Sequence, residues 1–352
     1  MRFDPPLPVA AVALWLPPQR VSAADAVAAG RLDAGDAAGN GYLAVPVSKD
    51  LAAPEMAVLA AGSALSAAGW DPATVDLVVH AWTYYQGHDF WSPPHFVARG
   101  IGAERALPLG VQQMCNGGAA AIEVAATRLL ADPAVSRAVV TTADRFCGPG
   151  FDRWRGDRGA VYGDSATALL LTRAPAAPLH LTRAPAAAPL HLLAAVSFAA
   201  PRLEEMHRGD DPFGPAARGV AQRVDTRRTM GHFFATGGGP LFADIAVTAV
   251  HAVLGGALAE AMLDGDDPAL RLVALPRLGR TVLNDDYRAV IAGHTGAEIL
   301  DLGGETGHLG AGDAAANLAT IHAGGLLRPG ELAILLSVGA GFTWSALVVQ
   351  AA

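Results

Sequence analysis

Met114-Cys115-Asn116-Gly117-Gly118-Ala119-Ala120-Ala121-Ile122 opens an alanine-rich run that stays helical in character to Leu130, and Ala138 to Ala143 follows it as a short apolar strand. Two glycines at the mouth of such a run permit a tight turn into a closely packed helix. The same succession extends in both directions. Val9 to Leu14, Val75 to Ala81 and Ala166 to Leu171 are strand-like, with a helical stretch from Glu55 to Ala68 after the first of them. Leu190 to Ala195, a long helix around Ala243 to Met262, Leu272 to Leu275, a helix from about Ala314 to Ala323 and terminal strands from Leu332 repeat the theme. Strands alternating with helices predict a layered α/β fold. His308-Leu309-Gly310-Ala311-Gly312-Asp313 opens a helix in the second part much as Cys115-Asn116-Gly117-Gly118 does in the first, so two related halves are expected, 1–180 and 181–352.

The composition sets the outer limits. With 352 residues, 52% of them hydrophobic and 16% charged, the chain is long enough for a sizeable core and too apolar for a long disordered tail. A net charge of -8 argues against a nucleic-acid or anionic-membrane surface. Two cysteines, Cys115 and Cys147, fit a reducing cytoplasm and are too few for a disulfide framework or a cysteine zinc site. The apolar stretch from Pro8 to Leu16 reads as a strand rather than a leader, given the prolines at 5, 6 and 8. The uncharged final segment from Leu332 reads as two buried strands joined through Gly339 and Gly341 rather than a membrane span. Leu171 to His180 and Leu181 to His191 form a near-perfect tandem repeat, expected to be a Pro/Ala linker between the halves. No phosphate-binding P-loop, dinucleotide fingerprint or metal-spaced cluster occurs, and no metal or bound cofactor is expected.

Cys115 is the first candidate for chemistry. At the N-terminus of a helix, unpaired N–H groups and the helix dipole favour a thiolate, which makes it a candidate nucleophile; a small buried core residue is the alternative.

The chain resembles the β-ketoacyl synthase III enzymes of the thiolase superfamily nearly from end to end. The resemblance rests on Leu16-Pro17-Pro18-Gln19-Arg20-Val21, Ala64 to Asp76, Met114-Cys115-Asn116-Gly117, Tyr162-Gly163-Asp164-Ser165-Ala166 and Gly339-Ala340-Gly341-Phe342-Thr343-Trp344. It implies a five-layered αβαβα fold, a homodimer, and an acyl-coenzyme A or acyl carrier protein thioester as substrate. Condensing members pair the cysteine with a histidine and an asparagine that hold the enolate oxygen of decarboxylating malonyl thioester. Here the histidine motif aligns with Leu275-Pro276-Arg277-Leu278-Gly279-Arg280-Thr281, and the asparagine position with His308. Losing the paired donors removes stabilisation from a developing enolate. A cysteine, a histidine and a carboxylate suit acyl transfer instead: Cys115 takes the acyl group and His308 takes a proton from an attacking hydroxyl.

Asp313 either orients the other imidazole nitrogen of His308 or caps the helix that follows, and His294 is the reserve base. The resemblance implies an oxyanion hole from the N–H groups of Cys115 and Ala340. Arg153, Trp154, Arg155 and Arg158, with Arg277 and Arg280 as second candidates, are expected to meet coenzyme A phosphate, adenine or a carrier protein, a solvated charged loop being the alternative. His80 to Phe96 holds six of the chain's 22 aromatic residues and three histidines, expected to pack across a dimer interface or to shape the acyl pocket. Such a set is similar to ketosynthase-like acyltransferases of actinobacterial polyketide pathways. The expected activity is transfer of an intact malonyl or alkylmalonyl group to a hydroxyl, a sugar on a polyketide-type acceptor above all. A starter-unit condensing enzyme, a Cys-His hydrolase and an inactive partner subunit are the other readings.

Overall fold

The computed structural model describes residues 1–173, 188–216 and 218–352. Ten strands form one mixed sheet: β1 Arg2–Trp15, β2 Leu77–Ala81, β3 Leu107–Val111, β4 Arg137–Asp144, β5 Ser165–Thr172, β6 Leu190–Ala199, β7 Leu270–Ala274, β8 Glu298–Leu300, β9 Leu332–Gly339 and β10 Thr343–Ala351. Their order across the sheet is β8-β7-β9-β10-β6-β1-β5-β4-β2-β3. The first five strands, read inward as β3-β2-β4-β5-β1, and the last five, as β8-β7-β9-β10-β6, follow the same order with the same parallel and antiparallel pairings. The two sets meet where β1 pairs antiparallel with β6, Leu7 opposite Leu192 and Val9 opposite Leu190. The expected boundary at 180/181 and the linker reading of the tandem repeat fall on residues 174–187, outside the described residues. The ends of the repeat are strand residues, Leu171 in β5 and Leu190 in β6.

Side chains that alternate along a strand face opposite sides of its sheet. Leu77 and Val79 of β2, Leu169 and Leu171 of β5, and Leu335 and Leu347 of β9 and β10 point to a central core. There they meet Ala121, Ile122 and Ala125 of α2 (Gly117–Ala131) and Ala314, Leu318 and Ile321 of α4 (Asp313–Ala323). The alternate residues Val78, Val139 and Leu170 face outward onto α1 (Ala53–Ala68), while Val273, Ile334 and Trp344 face α3 (Gly239–Ala261). Helix, sheet, paired helices, sheet and helix give the five expected layers. Strands buried on both faces read as continuous apolar runs, the pattern the sequence displays.

Small residues let the central helices approach. A Cβ at Gly118 would lie 2.1 Å from the carbonyl oxygen of Ala311, and one at Gly163 would lie 2.0 Å from that of Thr306, so neither position accepts alanine without moving backbone. Thr226–Ala261 is long and apolar enough to cross a membrane, but Ile245, Ala249, Val253 and Ala257 are spent on the outer core. The N-terminal apolar stretch is β1, and the uncharged C-terminal segment is the β9–β10 hairpin, with Gly339 opposite Thr343.

Candidate active site

The segment after β3 brings the chain to the mouth of α2. Met114 takes a left-handed backbone, φ 48°, an uncommon conformation for a side chain of its size and one that clusters at functional sites. Cys115 follows, 9% exposed, and Asn116 caps the helix position. The Asn116 amide donates to Gln113 Oε1 at 2.8 Å and to Ser345 Oγ at 2.9 Å, tying the nucleophile turn to β10. Cys115 therefore stands where the sequence puts it, with the helix N-terminus behind it.

His308 and Asp313 come from the second half, in the loop that opens α4. His308 Nδ1 donates to Asp313 Oδ2 at 2.7 Å, and both side chains are 2% exposed. The carboxylate is fully committed: Oδ2 also accepts the Arg277 N–H at 2.8 Å, and Oδ1 accepts the Leu309 N–H at 2.9 Å. Of the two readings of Asp313, helix cap and histidine partner, the geometry gives the second. Gly312 occupies the cap position, and the Asp313 carboxylate turns back toward the preceding loop.

Burial opposes an imidazolium, but Asp313 and Cys115 outweigh it and hold His308 well above its ordinary pKa. Burial likewise opposes the Asp313 carboxylate, and the His308 charge outweighs that to keep it below its ordinary value. Cys115 and His308 thus face each other as a coupled thiol and imidazole. Tyr162 lies edge-on to the His308 ring at 5.1 Å, and its hydroxyl donates to Asp157 Oδ2 at 3.0 Å.

Cys115 and His308 open into a cavity of about 600 Å³, whose walls include Tyr84, Phe146, Phe342 and Ala340. Ala340 belongs to the turn between β9 and β10, beside the nucleophile: a Cβ at Gly339 would lie 2.4 Å from the Asn116 nitrogen. Asp144 braces this end of the site. Its buried carboxylate accepts the N–H groups of Thr83, Tyr84 and Ala311, joining the cavity wall to the His308 loop, and burial raises its pKa to about 7.

The arginine set divides. Arg158 lines the cavity and is exposed, and Arg155 is exposed with its guanidinium on the Gly30 carbonyl. Arg153 is a core tether, bonded to Asp164 at 3.0 Å and to the Tyr162 carbonyl at 3.0 Å. Trp154 is buried among Val45, Tyr42 and Val161, so its indole has no free face for an adenine. Arg280 is exposed against Gly41 and does not line the cavity.

Arg277 departs furthest from a ligand-binding role at the surface, being 2% exposed. Its guanidinium donates to Asn317 Oδ1 at 2.9 Å, Thr306 Oγ1 at 2.7 Å and Thr320 Oγ1 at 3.3 Å. Burial lowers its pKa to about 10, so it remains charged at neutral pH.

His294 is also removed from the site: its Nε2 meets His251 Nδ1 at 2.8 Å on the outer helices, and it does not line the cavity. Within the aromatic stretch, His80 is buried and bonded to Thr141 and Gln86, Tyr84 reaches the cavity, and Phe90, Trp91 and Phe96 are exposed. Sequence reasoning did not find Asp157, His207 and Arg227, which also line the cavity. They sit in or pack against 201–238, where no period of 2 or 3.6 marks the chain.

The family model described as 3-oxoacyl-[acyl-carrier-protein] synthase III, C terminal, matches residues 292–351, the span holding His308, Asp313 and the Ala340 turn. No curated protein sequence matches the chain. The solved structure of the acyltransferase ChlB3 is 30% identical, with a TM-score of 0.85, over 99% of this chain and 98% of its own. The 3-oxoacyl-[acyl-carrier-protein] synthase III of Aquifex aeolicus VF5 shares the fold at 19% identity and a TM-score of 0.75, over 98% of this chain and 99% of its own. Cerulenin-bound OleA of Xanthomonas campestris does so at 14% and 0.72, over 99% of this chain and 100% of its own. A cysteine at a central helix mouth, a doubled strand order and an acyltransferase relative alike from end to end place the chain in one group: it belongs to the β-ketoacyl synthase III-like acyltransferases of the thiolase superfamily.

Proposed function

We propose that this transferase takes a malonyl or alkylmalonyl group from a coenzyme A or carrier-protein thioester onto Cys115 and passes it, carboxylate intact, to a hydroxyl, forming an ester. The observation that carries the reading is the buried Cys115–His308–Asp313 set, with Leu275 where condensing relatives are expected to hold a second donor. Cys115 passes its proton to His308 as the sulfur attacks the donor carbonyl, the donor's own carbon–sulfur bond breaks, and the leaving thiolate takes that proton from His308. The oxyanion is held by the N–H groups of Cys115 and Ala340.

Acylation takes away the Cys115 contribution that helps raise His308. The imidazole then gives up its proton more readily and can accept one from an incoming hydroxyl, while Asp313 keeps Nδ1 protonated and Nε2 free. The hydroxyl oxygen attacks, its proton passes to His308, the carbon–sulfur bond breaks, and the proton returns to Cys115. Of the expected cations, Arg158 is exposed and lines the cavity, which supports it as the partner of a donor phosphate. The exposed side chains of Phe90, Trp91 and Phe96 support a homodimer that packs them against a second copy, and two free cysteines fit a reducing cytoplasm.

The fate of the donor carboxyl separates this chemistry from condensation. With malonyl-coenzyme A labelled in its free carboxyl carbon, the label is expected to stay on the protein and then appear in the ester. Stoichiometric release of labelled carbon dioxide would return the enzyme to the condensing class.

A further inference from the structure

Asp144 is a fully buried carboxyl that the chemistry above does not use. It ends β4, does not line the cavity, and holds three backbone N–H groups. Oδ1 accepts Thr83 at 2.9 Å and Tyr84 at 2.7 Å, and Oδ2 accepts Ala311 at 3.1 Å. Burial raises its pKa to about 7 against those bonds, which lower it. Burying a carboxylate is costly, so the explanation for this one lies in the segments it joins.

Ala311 stands in the loop between His308 and Asp313, with Asp144 on one side and the nucleophile helix on the other. Its N–H faces the carboxylate. A Cβ at Gly117 would lie 3.5 Å from the Ala311 methyl, and the Ala311 carbonyl leaves no room for one at Gly118. Asp144 therefore sets how deeply the His308 loop seats against the helix that presents Cys115. Gly310 shows how closely the loop rests on it: at φ 59°, a Cβ there would strike Asp144 Oδ2 and lie 2.8 Å from the Phe146 ring. Phe146 packs on Tyr162 at 4.6 Å, and Tyr162 stands edge-on to His308, so an apolar support runs beside the polar one.

We propose that Asp144 is a positioning residue for acyl transfer, holding the His308 loop, and with it the imidazole, against Cys115 through the Ala311 N–H. The proposal rests on the acyl-transfer reading above and deepens it. Asp144 moves no proton and acts only through where it keeps His308. Attack by a hydroxyl leans harder on that base than attack by a thiol, which is the better nucleophile. A displaced imidazole therefore slows transfer from Cys115 more than it slows acylation.

The test forms the adduct with malonyl-coenzyme A and removes it with water and with glycerol as hydroxyl probes, intact mass giving one rate constant for each half-reaction. Work at about pH 8.5 keeps a carboxyl of pKa about 7 ionised. Asp144→Asn keeps the volume but turns an NH₂ group toward one of the backbone donors. Its transfer rate constant is expected to fall about 10-fold or more, and its acylation rate constant by about 3-fold or less. A loss of folded protein alone would lower the amount of adduct and leave both rate constants unchanged. Gly310→Ala pushes the same carboxylate from the loop side and is expected to show the same split; where Asp144→Asn yields no folded protein, that split decides. The double variant is expected within about 2-fold of the slower single, because both break one contact, whereas independent effects multiply. Wild-type transfer in Asp144→Asn, an equal fall in both half-reactions, or multiplied losses in the double variant would overturn the proposal. A wild-type protein that takes no malonyl group on Cys115 would overturn the acyl-transfer reading itself and this proposal with it.

Discussion

Replacing His308 with asparagine is expected to lower acyl transfer to a hydroxyl by about 10²–10⁴-fold and to leave a Cys115 adduct that forms slowly and then persists. Asparagine keeps a donor for Asp313, so the loop of the bond at 2.7 Å retains its anchor, but it has no basic nitrogen to accept a proton. Thiols are nucleophilic enough to acylate without help, whereas a hydroxyl at neutral pH is not. The two half-reactions should therefore separate, and single-turnover mass measurement reads each. Asp313→Asn is expected to affect the same step by a different route, because an amide can present either face to Nδ1 and no longer selects one tautomer.

The pH dependence follows from the directions of the shifts. His308 is raised in the fold, so its contribution to stability is complete below its unfolded value of about 6.5 and fades as pH rises through the raised value. Asp313 is lowered, so its contribution is present above about 3.8 and fades as pH falls through the lowered one.

The second large effect falls on stability. Arg277→Met is expected to cost about 3–5 kcal/mol, because it removes the charged donor of three buried hydrogen bonds at once. Asn317, Thr306 and Thr320 lose a donor, and the Asp313 carboxylate loses a nearby positive charge while keeping the Arg277 backbone N–H. Arg277→Lys keeps the charge but cannot reproduce three directed bonds from a planar group, and an intermediate loss is expected. Denaturant unfolding of the two variants reads the difference, and an Arg277→Met protein as stable as wild type would mean that the network is not holding the His308 loop.

Arg277 also shows how far the sequence carries. As a cation in the segment that aligns with the relatives' histidine motif, it reads as a second candidate for coenzyme A phosphate or a carrier protein, and composition says nothing of burial. The clue was on α4, where Asp313, Asn317 and Thr320 are spaced to share one face of an otherwise alanine-rich helix, a polar stripe that in a buried helix calls for a partner.

Cys115 was legible from its glycine-marked helix start, His308 through the resemblance that sets it at the relatives' asparagine position, and Asp313 as either a helix cap or the partner of His308. Strands buried on both faces were legible as apolar runs, while β3 was not. Leu107-Pro108-Leu109-Gly110-Val111 is an edge strand, where proline and glycine are tolerated and the run loses its strand appearance.

Intact-protein mass measurement after incubation with malonyl-coenzyme A tests the central claim most directly. The account predicts a malonyl adduct on wild type, carboxylate retained, and none on Cys115→Ala. An acetyl adduct in its place, or a malonyl adduct that survives the loss of Cys115, would contradict it.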